Sequence, residues 1–171
     1  MKKLVIILMT MSLSAVGFSQ TYEMAVGLKG NGLPGPVGRH YSGGGINFKH
    51  FIGGRNALEY TVGGGHEHLR AQVLYEWQHS TGITEGLDWY LGAGGTIGAW
   101  GNGYYHPSND DDYYDRGLYL GANGVIGLDW NIEPLTGVPI GFAVDSGPYI
   151  GIINSHAFGW GGAFAVRYII K

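Results

Sequence analysis

The chain has 171 residues, no cysteine, 10 basic and 13 acidic residues, and a formal net charge of −3. Charged residues make up 13%, about half the share of an ordinary soluble domain, while glycine reaches 33 residues and tyrosine 12. This balance excludes a disulfide framework, argues against a nucleic-acid partner, and leaves a water-facing exterior short of the charge that keeps soluble domains apart.

Lys2 and Lys3 precede an apolar stretch, LVIILMTMSLSAVGF, and the small residues Ala15, Gly17 and Ser19 lead to Gln20. The pattern predicts a secretory signal peptide over residues 1–19, cut after Ser19. The apolar run, about 15 residues, is short of the roughly 20 that a membrane-spanning helix needs. Cleavage removes two of the ten basic residues, leaving eight against 13 acidic ones and a net charge of −5.

Eight alternating segments follow in the mature chain, 20–171: about 21–29, 43–53, 56–65, 69–79, 86–100, 116–131, 138–149 and 156–170. Side chains alternate sides along a strand, so each segment has two faces. One parity is apolar: Tyr22, Met24, Val26 and Leu28 in the first, Ile46, Phe48 and Ile52 in the second, Leu58, Tyr60 and Val62 in the third. Leu69, Val73, Tyr75 and Trp77 continue it, then Leu87, Trp89, Leu91 and Ile97, then Leu118, Leu120, Ile126, Leu128 and Trp130. Val138, Ile140, Phe142 and Val144, and finally Phe158, Trp160, Phe164, Val166, Tyr168 and Ile170, complete it.

The other parity is rich in glycine and carries most of the strand charges: Glu23, Lys29, Lys49, Glu59, Arg70, Glu76, Asp88, Asp129, Asp145 and Arg167. A soluble barrel would turn those charges to water and its oil inward. A secreted chain with few charges and an even number of long segments predicts the reverse: apolar outside, polar inside, as in an outer-membrane barrel. With both termini at one end, the connections GGRN, STGITEG and EPLTGV are short, and the two longest, around 30–42 and 101–116, fall at the other end. Tyr22, Tyr60, Trp77, Trp89, Trp130 and Tyr168 then lie outward near the short-turn end, an aromatic girdle. Trp100 joins the outward set only if a glycine bulge shifts the register.

The stretch GLYLGANGVIGLDWNIEPLTGVPIGFAVDSGPYIG, 117–151, runs a Gly-rich strand into an acidic-aromatic end, a short Pro-containing turn, and a strand bearing an inward Asp; GLDW occurs at both 86–89 and 127–130. In this the sequence resembles the small eight-stranded outer-membrane barrels of the OmpA and OmpX type, and more closely the outer-membrane barrel proteins of Bacteroidota. The resemblance implies an all-β, eight-stranded antiparallel up-and-down transmembrane β-barrel in the bacterial outer membrane. It implies a monomer in contact with outer-membrane lipids and lipopolysaccharide, with a structural or cell-surface recognition role, no cofactor and no enzymatic activity.

Eight strands enclose little more than their own side chains. The expected interior is a polar network of Glu23, Lys49, Glu59, Arg70, Glu76, Asp88, Asp129, Asp145 and Arg167 with Lys29, ion-paired because unpaired buried charge is very costly. The sharper alternative is a narrow ion or solute path through that network, and inward glycines leave room for water. The loop SNDDDYYD, 108–115, offers oxygen ligands but lacks the spacing and glycine of a Ca²⁺ loop. The flanking Tyr104, Tyr105, Tyr113 and Tyr114 suit recognition of a surface ligand at loops 30–42 and 101–116.

His40 and Ser42 in RHYSGG resemble the His-x-Ser-Asn motif of eight-stranded lipid A deacylases, which makes a lipid A-modifying hydrolase the alternative function. Gly43 stands where Asn is expected, and Glu59 lies on the opposite parity. HPSN, 106–109, carries similar letters within a Pro-containing loop. His66 and His68 are spaced for one strand face without a third metal ligand; His50, His79 and His156 are scattered. A third alternative is a secreted soluble barrel that binds a small apolar ligand.

Overall fold

A computed structural model of the chain describes residues 22–33, 43–65, 68–101, 104–105, 113–114, 117–155 and 157–171. The expected signal peptide, His40, Ser42, His66, His156, HPSN, and most of the 30–42, 101–116 and SNDDDYYD stretches lie outside the described residues.

The long alternating segments form β1 (Met24–Leu33), β2 (Gly43–Gly53), β3 (Asn56–Gly65), β4 (His68–Ser80) and β5 (Leu87–Trp100). Two short strands, β6 (Tyr104–Tyr105) and β7 (Tyr113–Tyr114), pair with each other within the long connection that follows. Then come β8 (Gly117–Asn131), a single helical turn α1 (Glu133–Thr136), β9 (Ile140–Ile153) and β10 (Phe158–Ile170). The eight long strands close in the order β1-β10-β9-β8-β5-β4-β3-β2, every neighbour antiparallel. The chain is therefore an up-and-down barrel. Its seam is the ladder from Met24↔Ile170 to Leu33↔Gly162, and closure leaves the eight-stranded sheet without an edge strand.

At one end the connections are short: Gly54–Arg55, residues 81–86, and residues 132–139 around α1. The opposite end carries the connections over 34–42, 66–67, 101–116 and 154–157. Strand boundaries follow the periodicity closely, with two extensions. β1 runs on to Leu33 through Gly30 and Asn31, where the apolar signal is weak, and β9 runs on through Ile150 to Ile153, because β10 and β8 continue the respective ladders.

The apolar parity faces out. Leu28 is 68% exposed and Ile46 64%, and Leu91, Leu120 and Phe164 are also exposed. The charged parity faces in: Arg167 is 2% exposed, and Lys49 and Glu76 are fully buried. Trp77, Trp89, Trp130 and Tyr168 lie on the outer face near the short-turn end, where Phe142 pairs with Trp130 across the ladder; Tyr60 is also outward but lies mid-strand, paired with Phe48 and Val73.

Two expectations fail at the start of β1. Tyr22 is buried inside the barrel mouth, not outward, and Glu23 is exposed, not inward. The ladder begins at Met24, and the chain bends at Glu23, so strand alternation does not extend back to these two residues. Trp100 needs no bulge. It keeps the inward parity of β5, and its Nε1 donates to the Asn154 carbonyl at 3.2 Å.

Candidate functional site

The feature that sets this barrel apart is its interior. Lys29 on β1 donates to Glu59 Oε1 on β3 at 2.5 Å and to Asp145 Oδ2 on β9 at 2.6 Å. Lys49 on β2 sits 2.7 Å from Glu76 Oε2 on β4 and donates to Asp129 Oδ2 on β8 at 2.5 Å. Arg167 on β10 donates from its NH2 group to Glu59 Oε2, from Nε to Asn47 Oδ1 at 2.5 Å, and from its other terminal nitrogen to Asp129 Oδ2 at 3.4 Å. None of these ion pairs joins adjacent strands; each skips at least one, so the pairs tie the wall together across the lumen.

Neutral groups complete the cluster. Tyr22 donates its hydroxyl to Asp129 Oδ2 at 3.2 Å and Tyr90 to Asp145 Oδ2 at 2.9 Å. Gln78 Nε2 donates to Glu76 Oε2 at 2.8 Å, and Asn47 Nδ2 to Thr61 Oγ1 at 2.9 Å. The Lys49 ammonium also lies 4.9 Å from the Tyr90 ring centre and 5.5 Å from that of Phe51. Each charge thus meets opposite charge or fixed dipoles, the condition under which charge is tolerated inside a protein. Lys49, Glu76 and Tyr90 expose no surface at all, so the lumen is filled side chain to side chain at this level.

The expected network residues divide into four groups. Lys49, Glu59, Glu76, Asp129, Asp145 and Arg167 are brought together with Lys29. Arg70 is buried further along the lumen, bordering a cavity. Asp88 is half-buried near the short-turn end, across the ladder from Asp129, and has no ion pair among the described residues. Glu23 is outside the cluster, and Tyr22 takes the place that parity assigned to it.

The inward glycines also have a role that alternation does not show. A Cβ on Gly98 would lie 2.3 Å from the Tyr119 ring, one on Gly121 2.3 Å from Tyr149, and one on Gly127 2.6 Å from Tyr90. Each of these three tyrosines lies over a glycine of the adjacent strand. Much of the room those glycines leave is therefore filled by rings, not by water. Trp100 stacks beside Tyr119, with centroids 4.8 Å apart, toward the long-loop end. The His68 ring lies 5.4 Å from that of Trp100, and among the described residues no group of three His, Asp or Glu is placed to hold a metal ion.

Between the ion-paired floor and these rings lies a cavity of about 70 Å³, bordered by Lys29, Arg70, Gln72, Thr96, Asn123 and Asp145 among others. Glu59, the carboxylate weighed as a partner for His40 and Ser42, points into the lumen and is held by Lys29 and Arg167. Comparison with known proteins matches no family model and no curated sequence.

Proposed function

We propose that the chain is a small integral outer-membrane barrel with a plugged lumen, acting as a structural or recognition element at the cell surface and not as an enzyme. The observation that carries this reading is the inversion of the wall. Large apolar side chains cover the outside along the strands, while seven ion-paired charges occupy the interior. In water that arrangement would expose an apolar surface far larger than soluble monomers tolerate. Against acyl chains it is the favourable one.

Two further features support it. Two polar side chains on the outer face are satisfied there: Trp160 Nε1 donates to Ser146 Oγ at 2.8 Å, and Ser146 donates to the Gly161 carbonyl at 3.0 Å. Four outward aromatics, Trp77, Trp89, Trp130 and Tyr168, lie near the short-turn end, where an interface with periplasmic water would lie. The long connections then face outward and are the surface available to a ligand. A hydrolase at His40 and Ser42 would need its third member from a residue other than Glu59, which is committed to the plug.

Fractionation tests the reading. The chain is expected in the outer membrane, released by detergent and not by salt, with a folded band that shifts on heating. A tag inserted at 108–109 should be reached by antibody on intact cells. Recovery in the soluble periplasm without detergent would overturn the proposal. A change in lipid A mass on overproduction, lost in His40→Ala, would replace it with the hydrolase.

A further inference from the structure

The cavity above the plug is lined with side-chain N–H donors. Gln72, at 9% exposure, borders it, and no protein group takes up its carboxamide among the described residues. Asn31 borders it too, and its Nδ2 is buried with no acceptor. Thr96 donates its hydroxyl to Asn123 Oδ1 at 2.6 Å, so what Asn123 has left to offer is its N–H groups. Lys29, whose ammonium donates to Glu59 and Asp145, and Arg70 add positive charge to the same walls. The carboxylate on the cavity border, Asp145, accepts from Lys29 and Tyr90 through Oδ2, which leaves Oδ1 as the one charged acceptor there.

Buried donors without acceptors are costly, and something must answer them. Water brings donors together with acceptors and relieves such a surplus only in part. A halide or small oxyanion brings acceptors alone. The cavity has room for a few waters or one small ion. The carboxylates of the plug beneath it disfavour a second negative charge. We propose that this cavity binds one small monovalent anion, such as chloride, nitrate or formate, held by the carboxamides of Gln72, Asn123 and Asn31 in the field of Lys29 and Arg70. The site needs only the closed barrel and does not depend on where the barrel resides.

The test is melting of the purified chain in detergent, read from the folded band. Ionic strength is held constant while gluconate, too large for the cavity, is replaced by chloride or nitrate. If the site is half-filled near about 20 mM, Tm rises by about 3–5 °C as chloride reaches about 200 mM, and the rise saturates. Gln72→Glu keeps the size of the side chain and sets a carboxylate on the cavity wall; it should abolish the rise. Asn123→Leu, which removes donors without adding charge, should weaken it, and carries the same comparison should Gln72→Glu fail to fold. Equal melting in all three salts, or an undiminished rise in both variants, would overturn the site.

Discussion

Arg167 joins three strands at once, reaching Asn47 on β2, Glu59 on β3 and Asp129 on β8. Removing one partner of a buried ion pair leaves the others charged and unanswered, which costs about 3–5 kcal/mol. Arg167→Leu should therefore lower the urea midpoint of the folded band strongly. Glu23→Ala should leave it within about 0.5 kcal/mol of the parent, because Glu23 faces solvent. Parity placed these two residues on the same face. The difference between them is where the ladder begins, a fact of pairing with Ile170 and His50 that no local pattern carries. The Tyr119–Gly98 contact is likewise a residue-scale device. Gly98→Ala drives a methyl into the ring and should cost about 1–3 kcal/mol. In the Tyr119→Ala background the same change should cost far less, and a double-mutant cycle on urea midpoints reads that coupling.

At the scale of elements, the short-turn end depends on particular glycines. Gly86 has φ +76°, and a Cβ there would lie 2.1 Å from the Asn131 carbonyl oxygen, which belongs to the neighbouring strand β8. Its own carbonyl accepts the Asn131 N–H at 2.8 Å, so this turn is locked to the end of β8. Gly82, in the same turn, has φ +68° but open space where its Cβ would go. Gly86→Ala should therefore destabilise the barrel more than Gly82→Ala, which carries backbone strain alone; thermal shift of the folded band compares the two. The strands themselves were legible, since each of the eight predicted segments corresponds to one observed strand. α1 was not. A four-residue turn with Pro134 near its start and Gly137 at its end (φ +73°) has too few residues to show a helical period.

For the whole molecule, the decisive quantity is what surrounds the wall. Val73 sits on the outer face near the middle of β4 and is 44% exposed. If that face meets acyl chains, Val73→Arg should cost about 2–4 kcal/mol in lipid vesicles, measured as loss of the folded band in urea. If the face meets water, the substitution should be nearly neutral. The same scale explains how the interior could be expected in kind but not in detail. The sequence marks which side chains share a face. The partners within the plug stand far apart along the chain, such as Lys29 and Asp145, separated by 116 residues, or Arg167 and Asn47, by 120.

From the sequence alone came the eight strands, their two faces, and a composition that turns the oily face outward, because an extended chain alternates its side chains whatever it later packs against. The tertiary structure alone decided which carboxylate meets which cation, that Tyr22 displaces Glu23 from the interior, that tyrosine rings fill the glycine gaps, and that a donor-rich cavity remains. Those outcomes depend on how the ladders are staggered around the barrel, and stagger is settled when β1 pairs with β10, not within any strand.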